Sequence, residues 1–152
     1  MPVLQTKNFG NISFEPDSEL EFPYGLPGFE SCRKFVAVRF VESDPLVYLQ
    51  SIEDTGLCFI TMPILAADAG YKLQVSDEDL GRLGLRSRQA LILGEDVLCL
   101  AVLSLSESGP TANLLAPIVV NLRNRKAVQT IAAESDYPHQ FALMPEETAV
   151  CS

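Results

Sequence analysis

The sequence predicts a mostly β chain, a small antiparallel β-barrel-like domain with one or two short helices. Three observations carry that prediction. Short runs of β-branched and aromatic residues, several alternating with polar ones, recur along the chain. Clusters of Gly, Pro, Asn, Asp and Ser separate them. One segment carries both the start and the stop signals of a helix. Many short strands broken by turn residues are the pattern of a sandwich or small barrel.

Val3 to Lys7 and Ile12-Ser13-Phe14 flank the turn residues Asn8-Phe9-Gly10-Asn11, which predicts a first hairpin. Glu15-Pro16-Asp17-Ser18 turns again, and Leu20-Glu21-Phe22 resumes alternation. The run FPYGLPGFE, Phe22 to Glu30, then restricts the backbone heavily. Pro23 and Pro27 fix φ, while Gly25 and Gly28 open conformations that other residues avoid. It reads as a rigid connection between strands, anchored in the core by Phe22 and Phe29, with Tyr24 and Leu26 as its outward-facing residues. Gly28→Val is expected to destabilise the fold. Lys34 to Val41 is a strand by content, ended by Glu42-Ser43-Asp44-Pro45. Leu46 to Ile52 and Leu57 to Met62 are extended, with a turn at Glu53-Asp54-Thr55-Gly56 between them.

The helix is predicted at Ser76 to Gly84. Ser76 is the N-cap, and Asp77, Glu78 and Asp79 fill the first turn, where the helix dipole favours carboxylates. Gly84 ends it, and Leu80 and Leu83 form the docking pair. Gln89 to Leu93 fits strand or helix equally. Val97 to Leu103 reads as a strand buried on both faces, and Ser104 to Pro110 as a polar loop. Leu114 to Leu122 is strand-like but carries Pro117, which belongs at an edge or a bulge. Arg123 to Lys126 turns, with its basic side chains at a solvated hairpin tip, and Ala127 to Ala132 is a further strand. Residues 1–140 form a single domain, and 141–152 are expected to be a loose tail.

The 152 residues suit one domain, and 47% apolar content supports a real core. Twenty acidic residues against 11 Lys and Arg leave a net charge of −9. Such a surface repels nucleic-acid phosphates and suits a basic partner, although solubility alone explains many acidic proteins. No run approaches the ~18 apolar residues of a membrane span. The start of the chain lacks a basic stretch followed by an apolar one, so a cytoplasmic protein is expected. The cysteines, Cys32, Cys58, Cys99 and Cys151, are widely spaced and read as reduced thiols, three of them in apolar company.

Nucleophile elbow, P-loop, dinucleotide fingerprint and HExxH patterns are absent from the sequence. His139 is the single histidine and reads as a surface-loop residue. Asp77, Glu78 and Asp79 lack the EF-hand spacing and read as helix-start charges. No catalytic residue, metal or cofactor is expected. A β-barrel that holds a small molecule is the competing expectation, and a filled interior counts against it.

Certain residues occur in a telling order: Phe9-Gly10, then Phe22 and Gly25-Leu26-Pro27-Gly28-Phe29-Glu30, then Leu49-Gln50-Ser51. Thr111 through Asn121, spelled TANLLAPIVVN, follows, and then Arg125-Lys126, Gln129 and Tyr137. Over roughly residues 3–138 the chain resembles the bacterial flagellar assembly factor FliW family. The resemblance implies a small β-barrel-like fold, no enzyme activity and two protein partners. One is flagellin; the other is the carbon storage regulator CsrA, a small basic dimer that represses flagellin translation. It implies a cycle in which the factor holds CsrA off the message until new flagellin competes for the factor. Within that scheme Glu53, Asp54, Asp77, Glu78 and Asp79 are candidate contacts for a basic partner. Gly25, Pro27, Gly28, Phe29, Gln50, Asn113, Pro117, Asn121 and Arg125 are motif residues with mainly structural roles. Flagellin would bring an amphipathic helical segment, for which an apolar patch is expected.

Overall fold

Alternating apolar and polar residues resolve into ten strands among the residues that the computed structural model describes, 2–85, 93, 96–131 and 135–143. β1 (Val3–Thr6) and β2 (Gly10–Ser13) pair as a separate hairpin. The main sheet contains β3 (Glu19–Glu21), β4 (Lys34–Val38), β5 (Val47–Ser51), β6 (Cys58–Pro63), β7 (Val97–Ser106) and β8 (Gly109–Asn121). These six follow one another as antiparallel neighbours. β9 (Ala127–Gln129) and β10 (Phe141–Ala142) pair with opposite ends of β8. The sheet closes on itself where the Glu21 amide donates to the Arg125 carbonyl at 2.9 Å, beside a bridge from Glu21 to Lys126. The result is a nearly closed, antiparallel, barrel-like sheet of seven strands, β3 to β9.

The central strands are apolar on both faces because two cores flank them. Leu98, Leu100 and Val102 of β7 face the barrel interior with Leu20, Phe22, Leu26, Phe35, Leu49 and Ile118. Val97, Cys99 and Ala101 face an outer core under α1 (Ile64–Ala67) and α2 (Asp77–Leu83). That two-sided burial is the physical meaning of the unbroken VLCLAVL run. Inside the barrel, Phe22, Phe35 and Phe59 meet edge-on or tilted, with centroids 5.3 and 5.9 Å apart. These side chains fill most of the interior, which counts against the small-molecule barrel.

Pro117 sits in a bulge, as its missing N–H requires. Leu100 pairs with Ile118 and Val102 with Asn113, so residues 114–117 loop out opposite Ala101. The chain satisfies the displaced backbone itself. Asn113 Oδ1 accepts from the amides of Leu115 and Ala116, each at 3.0 Å. Gln129 Nε2 donates to the Ala116 carbonyl and the Thr130 amide to the Pro117 carbonyl. The Leu114 amide donates to the Pro138 carbonyl, and its carbonyl accepts from the Tyr71 hydroxyl at 2.7 Å.

α2 forms where the cap residues place it. Ser76 Oγ accepts from the Asp79 amide, and Gly84 ends the helix at φ 75°. Leu80 and Leu83 are buried in the outer core. The buried carboxylate of Asp79 accepts from Thr130 Oγ1 at 2.8 Å, tying the helix start to the residue after β9. At the other end, Asn121 and Asn124 amides both donate to the Leu83 carbonyl, at 2.8 and 3.0 Å. A helix of two turns is held by these tethers and by burial, since its own hydrogen bonds do not suffice.

Several sequence expectations are corrected. Ser104 to Pro110 is no loop: β7 runs to Ser106 and β8 starts at Gly109, leaving Glu107-Ser108 as a tight hairpin turn. Polar spelling there reflects an exposed hairpin arm. The strand at Lys34 stops at Val38, and Val41–Ser43 is a 3₁₀ turn. β9 ends at Gln129, short of the expected Ala132. The tail is not loose from residue 141: Phe141 and Ala142 pair with Ala112 and Thr111, and the Leu143 amide donates to the Pro110 carbonyl. Tyr137 stacks on Tyr71, with centroids 4.3 Å apart, and so fastens the approach to that strand. Residues 144–152 and the ambiguous segment, apart from Leu93, lie outside the described residues.

Candidate partner-binding surface

The proline–glycine loop is two turns in series. Gly25 N–H donates to the Phe22 carbonyl, and Phe29 N–H to the Leu26 carbonyl at 2.7 Å. In the second turn Pro27 takes the position that favours fixed φ, and Gly28, at φ 85°, the position that demands a positive one. Gly25 is constrained twice, by φ 69° and by the Glu30 backbone, whose Cα lies 2.6 Å from where a Cβ would stand. Leu26, expected outside, is buried at 4% exposure, whereas Phe29, expected inside, is 41% exposed. The two-residue turn explains the exchange: it places Leu26 over the barrel interior and Phe29 on the rim. Tyr24 is exposed, as expected, and the Arg82 guanidinium lies over its ring, 4.5 Å from the centroid.

Phe29 stands edge-on to Phe59, with centroids 5.4 Å apart. Together with Leu26, Pro27, Val102, Ile118 and Gln129 they line a small pocket of about 40 Å³. The loop thus supplies one wall, while strands β6 to β9 supply the rest. A pocket of this size and lining accepts a short aliphatic group and holds no cluster of acid, base and nucleophile. Leu26, Pro27, Phe29, Ile118 and Gln129 stand in the distinctive runs of the sequence, whereas Phe59 and Val102 are spelled like any core residue.

The candidate acidic contacts are distributed unevenly. Glu53 grips the loop's exit, its carboxylate accepting from the amides of Arg33 and Lys34 at 2.9 and 3.0 Å. Asp54 Oδ1 accepts from the Gly56 amide within the β5–β6 turn. Asp77 and Glu78 are exposed on α2, and Glu78 pairs with Arg82 at 2.7 Å. Asp79 is buried and bonded to Thr130 and Arg82, so its charge is absorbed by the fold. Glu53 and Asp54 lie in the β5–β6 turn and Asp77 and Glu78 on α2.

The remaining motif residues sit at structural joints. Gln50 is fully buried, and its Nε2 donates to the Ser51 and Thr55 carbonyls, holding the β5–β6 turn. Its Oε1 has no partner among the described residues. Asn113 and Pro117 make the bulge, and Asn121 caps α2. Arg125 adopts φ 63°, unusual without glycine, in the turn whose carbonyl closes the barrel. Burial pushes the Cys99 thiol up to about 12 and raises that of Cys58, so neither is a thiolate near neutrality.

The model of the family described as FliW protein matches residues 3–143. The chain belongs to the FliW family. Among similar proteins, the flagellar assembly factor FliW of Syntrophomonas wolfei subsp. wolfei is 34% identical over 128 residues, covering 84% of this chain and 80% of that one. The flagellar assembly factor FliW of Pseudothermotoga lettingae is 36% identical, covering 89% of this chain and 83% of that one. A crystal structure of the flagellar assembly factor FliW superposes with a TM-score of 0.83 at 27% identity, covering 96% of this chain and 99% of that chain. The FliW family match includes both the proline–glycine loop and the bulged β8, the two irregular elements beside the pocket. No helix among the described residues is long and apolar enough to cross a membrane.

Proposed function

We propose that this FliW-family chain is a non-enzymatic flagellar assembly factor that works in the cytoplasm, binding flagellin and antagonising the translational repressor CsrA. By alternating between them it couples flagellin synthesis to export. The observation that carries this reading is the family match over residues 3–143, which spans every element of the barrel. Two features support it. The pocket bounded by Phe29 and Phe59 is a receptacle for an aliphatic side chain from an amphipathic flagellin segment. The net charge of −9, with Asp77 and Glu78 exposed on α2, suits a basic RNA-binding partner and repels its RNA. A tenfold loss of RNA affinity requires only about 1.4 kcal/mol, within reach of a few adjacent carboxylates.

The test is a pull-down of purified flagellin and CsrA from the same organism at several salt concentrations. Retention of both, with CsrA binding weakening as salt rises, supports the reading. CsrA binding indifferent to salt removes the charge argument, and retention of neither removes the function.

A further inference from the structure

The β7–β8 hairpin has two edges, and the chain treats them differently. Ser106 and Gly109 close the two-residue turn, followed by the pairs Leu105–Pro110 and Ser104–Thr111. In such a hairpin the closing pair exchanges hydrogen bonds and successive pairs alternate. Leu105–Pro110 is therefore a non-bonded pair, the position where a missing proline N–H costs nothing across the ladder. The Pro110 carbonyl indeed faces the other way, accepting from the Leu143 amide at 3.1 Å. By the same alternation the N–H and C=O of Leu105 point away from β8, toward β6. The β6–β7 ladder, however, ends at Thr61–Val102.

The outer edge of β8 is thus covered by β10 and carries Pro110, while the edge of β7 at Leu105 has no paired strand among the described residues. Its segment, Leu103-Ser104-Leu105-Ser106, has no Lys, Pro or inward charge of the kind that guards open edges. Leu105 is 85% exposed. Where β6 and β7 part, Phe59 of one and Val102 of the other line the apolar pocket.

We propose that the edge of β7 at Leu105 is a strand-addition site for an extended segment of a partner protein carrying alternating aliphatic and basic residues. Main-chain hydrogen bonds to Leu105 supply affinity, and an aliphatic side chain of the segment packs beside the exposed Leu105 side chain. Charge selects the occupant: a second copy would bring another −9, whereas a basic segment is attracted. This site does not depend on either named partner.

The probe is an acetylated, amidated peptide of alternating valine and lysine, titrated into the whole protein while amide exchange is followed by NMR. Exchange at Leu105 is expected to slow by about tenfold or more at saturation. Leu105→Pro, whose lost N–H faces the open edge, is expected to keep the fold and lose the peptide. The same peptide N-methylated along one edge keeps its charge and is expected not to bind. An unchanged Leu105 amide, or equal binding of the N-methylated peptide, overturns the proposal. So does a free protein that sediments as a dimer with Leu105 already protected, which assigns the edge to a second copy.

Discussion

The Asn121 side-chain amide donates a 2.8 Å hydrogen bond to the carbonyl of Leu83, the last residue of α2. Its Oδ1 accepts from the Arg123 amide, so one buried side chain joins the helix end, the end of β8 and the turn beyond. Asn121→Ala leaves a buried carbonyl with only the Asn124 amide and is expected to cost about 1–3 kcal/mol. Urea denaturation checks this as a lower midpoint at unchanged slope, with Asn124→Ala, more exposed, costing less.

The two loop glycines differ in what forbids a side chain. Gly25→Ala meets the Glu30 backbone as well as an unfavourable φ; Gly28→Ala meets only φ, with open space around the Cβ. Gly28→Ala is expected to cost about 1–2 kcal/mol, the ordinary left-handed penalty, and Gly25→Ala clearly more. Thermal melts of the two variants side by side give the ordering.

Those glycines mark the limit of what the residues alone convey. Turn positions, the capped helix at 77–83 and the bulge at Pro117 were legible because each depends on local stereochemistry: fixed φ, positive φ, a missing N–H. Which of Leu26 and Phe29 enters the core was not, because both are apolar and the turn decides which one faces inward. Extension of β7 to Ser106 was hidden by serines that suit an exposed hairpin arm as well as a loop. The roles of Glu53 and Asp79 were also hidden. Their partners, Arg33 and Lys34 for one and Thr130 for the other, lie 19 to 51 residues away in sequence.

Stability is expected to fall in alkali. Burial raises the thiol of Cys99 from 9.0 to about 12 and also raises the hydroxyl of Tyr71 above 10.0. Both groups hold their protons longer in the folded state, so the folded chain binds more protons than the unfolded one in that range. Their contribution is complete below the unfolded pKa values and is lost as pH rises, from 9.0 toward about 12 for Cys99 and upward from 10.0 for Tyr71. The slope is about 1.4 kcal/mol per pH unit for each such group. Urea midpoints at neutral pH and at about pH 10.5 check it, and Cys99→Ala is expected to flatten the decline.

Phe29 separates binding from folding. Its ring is partly exposed and touches Phe59 at the pocket rim. Phe29→Ala is expected to cost about 1 kcal/mol of stability or less, and to weaken flagellin binding by tenfold or more. Calorimetric titration with flagellin against a urea melt of the same sample distinguishes the two effects.

Exchange of protein partners on one scaffold is tested directly by the message itself. CsrA bound to its flagellin message is titrated with the purified chain, and flagellin is then added while RNA binding is followed by fluorescence anisotropy. RNA is expected to be released as the chain is added and recaptured as flagellin arrives. RNA that stays bound throughout, or release that flagellin does not reverse, contradicts partner exchange.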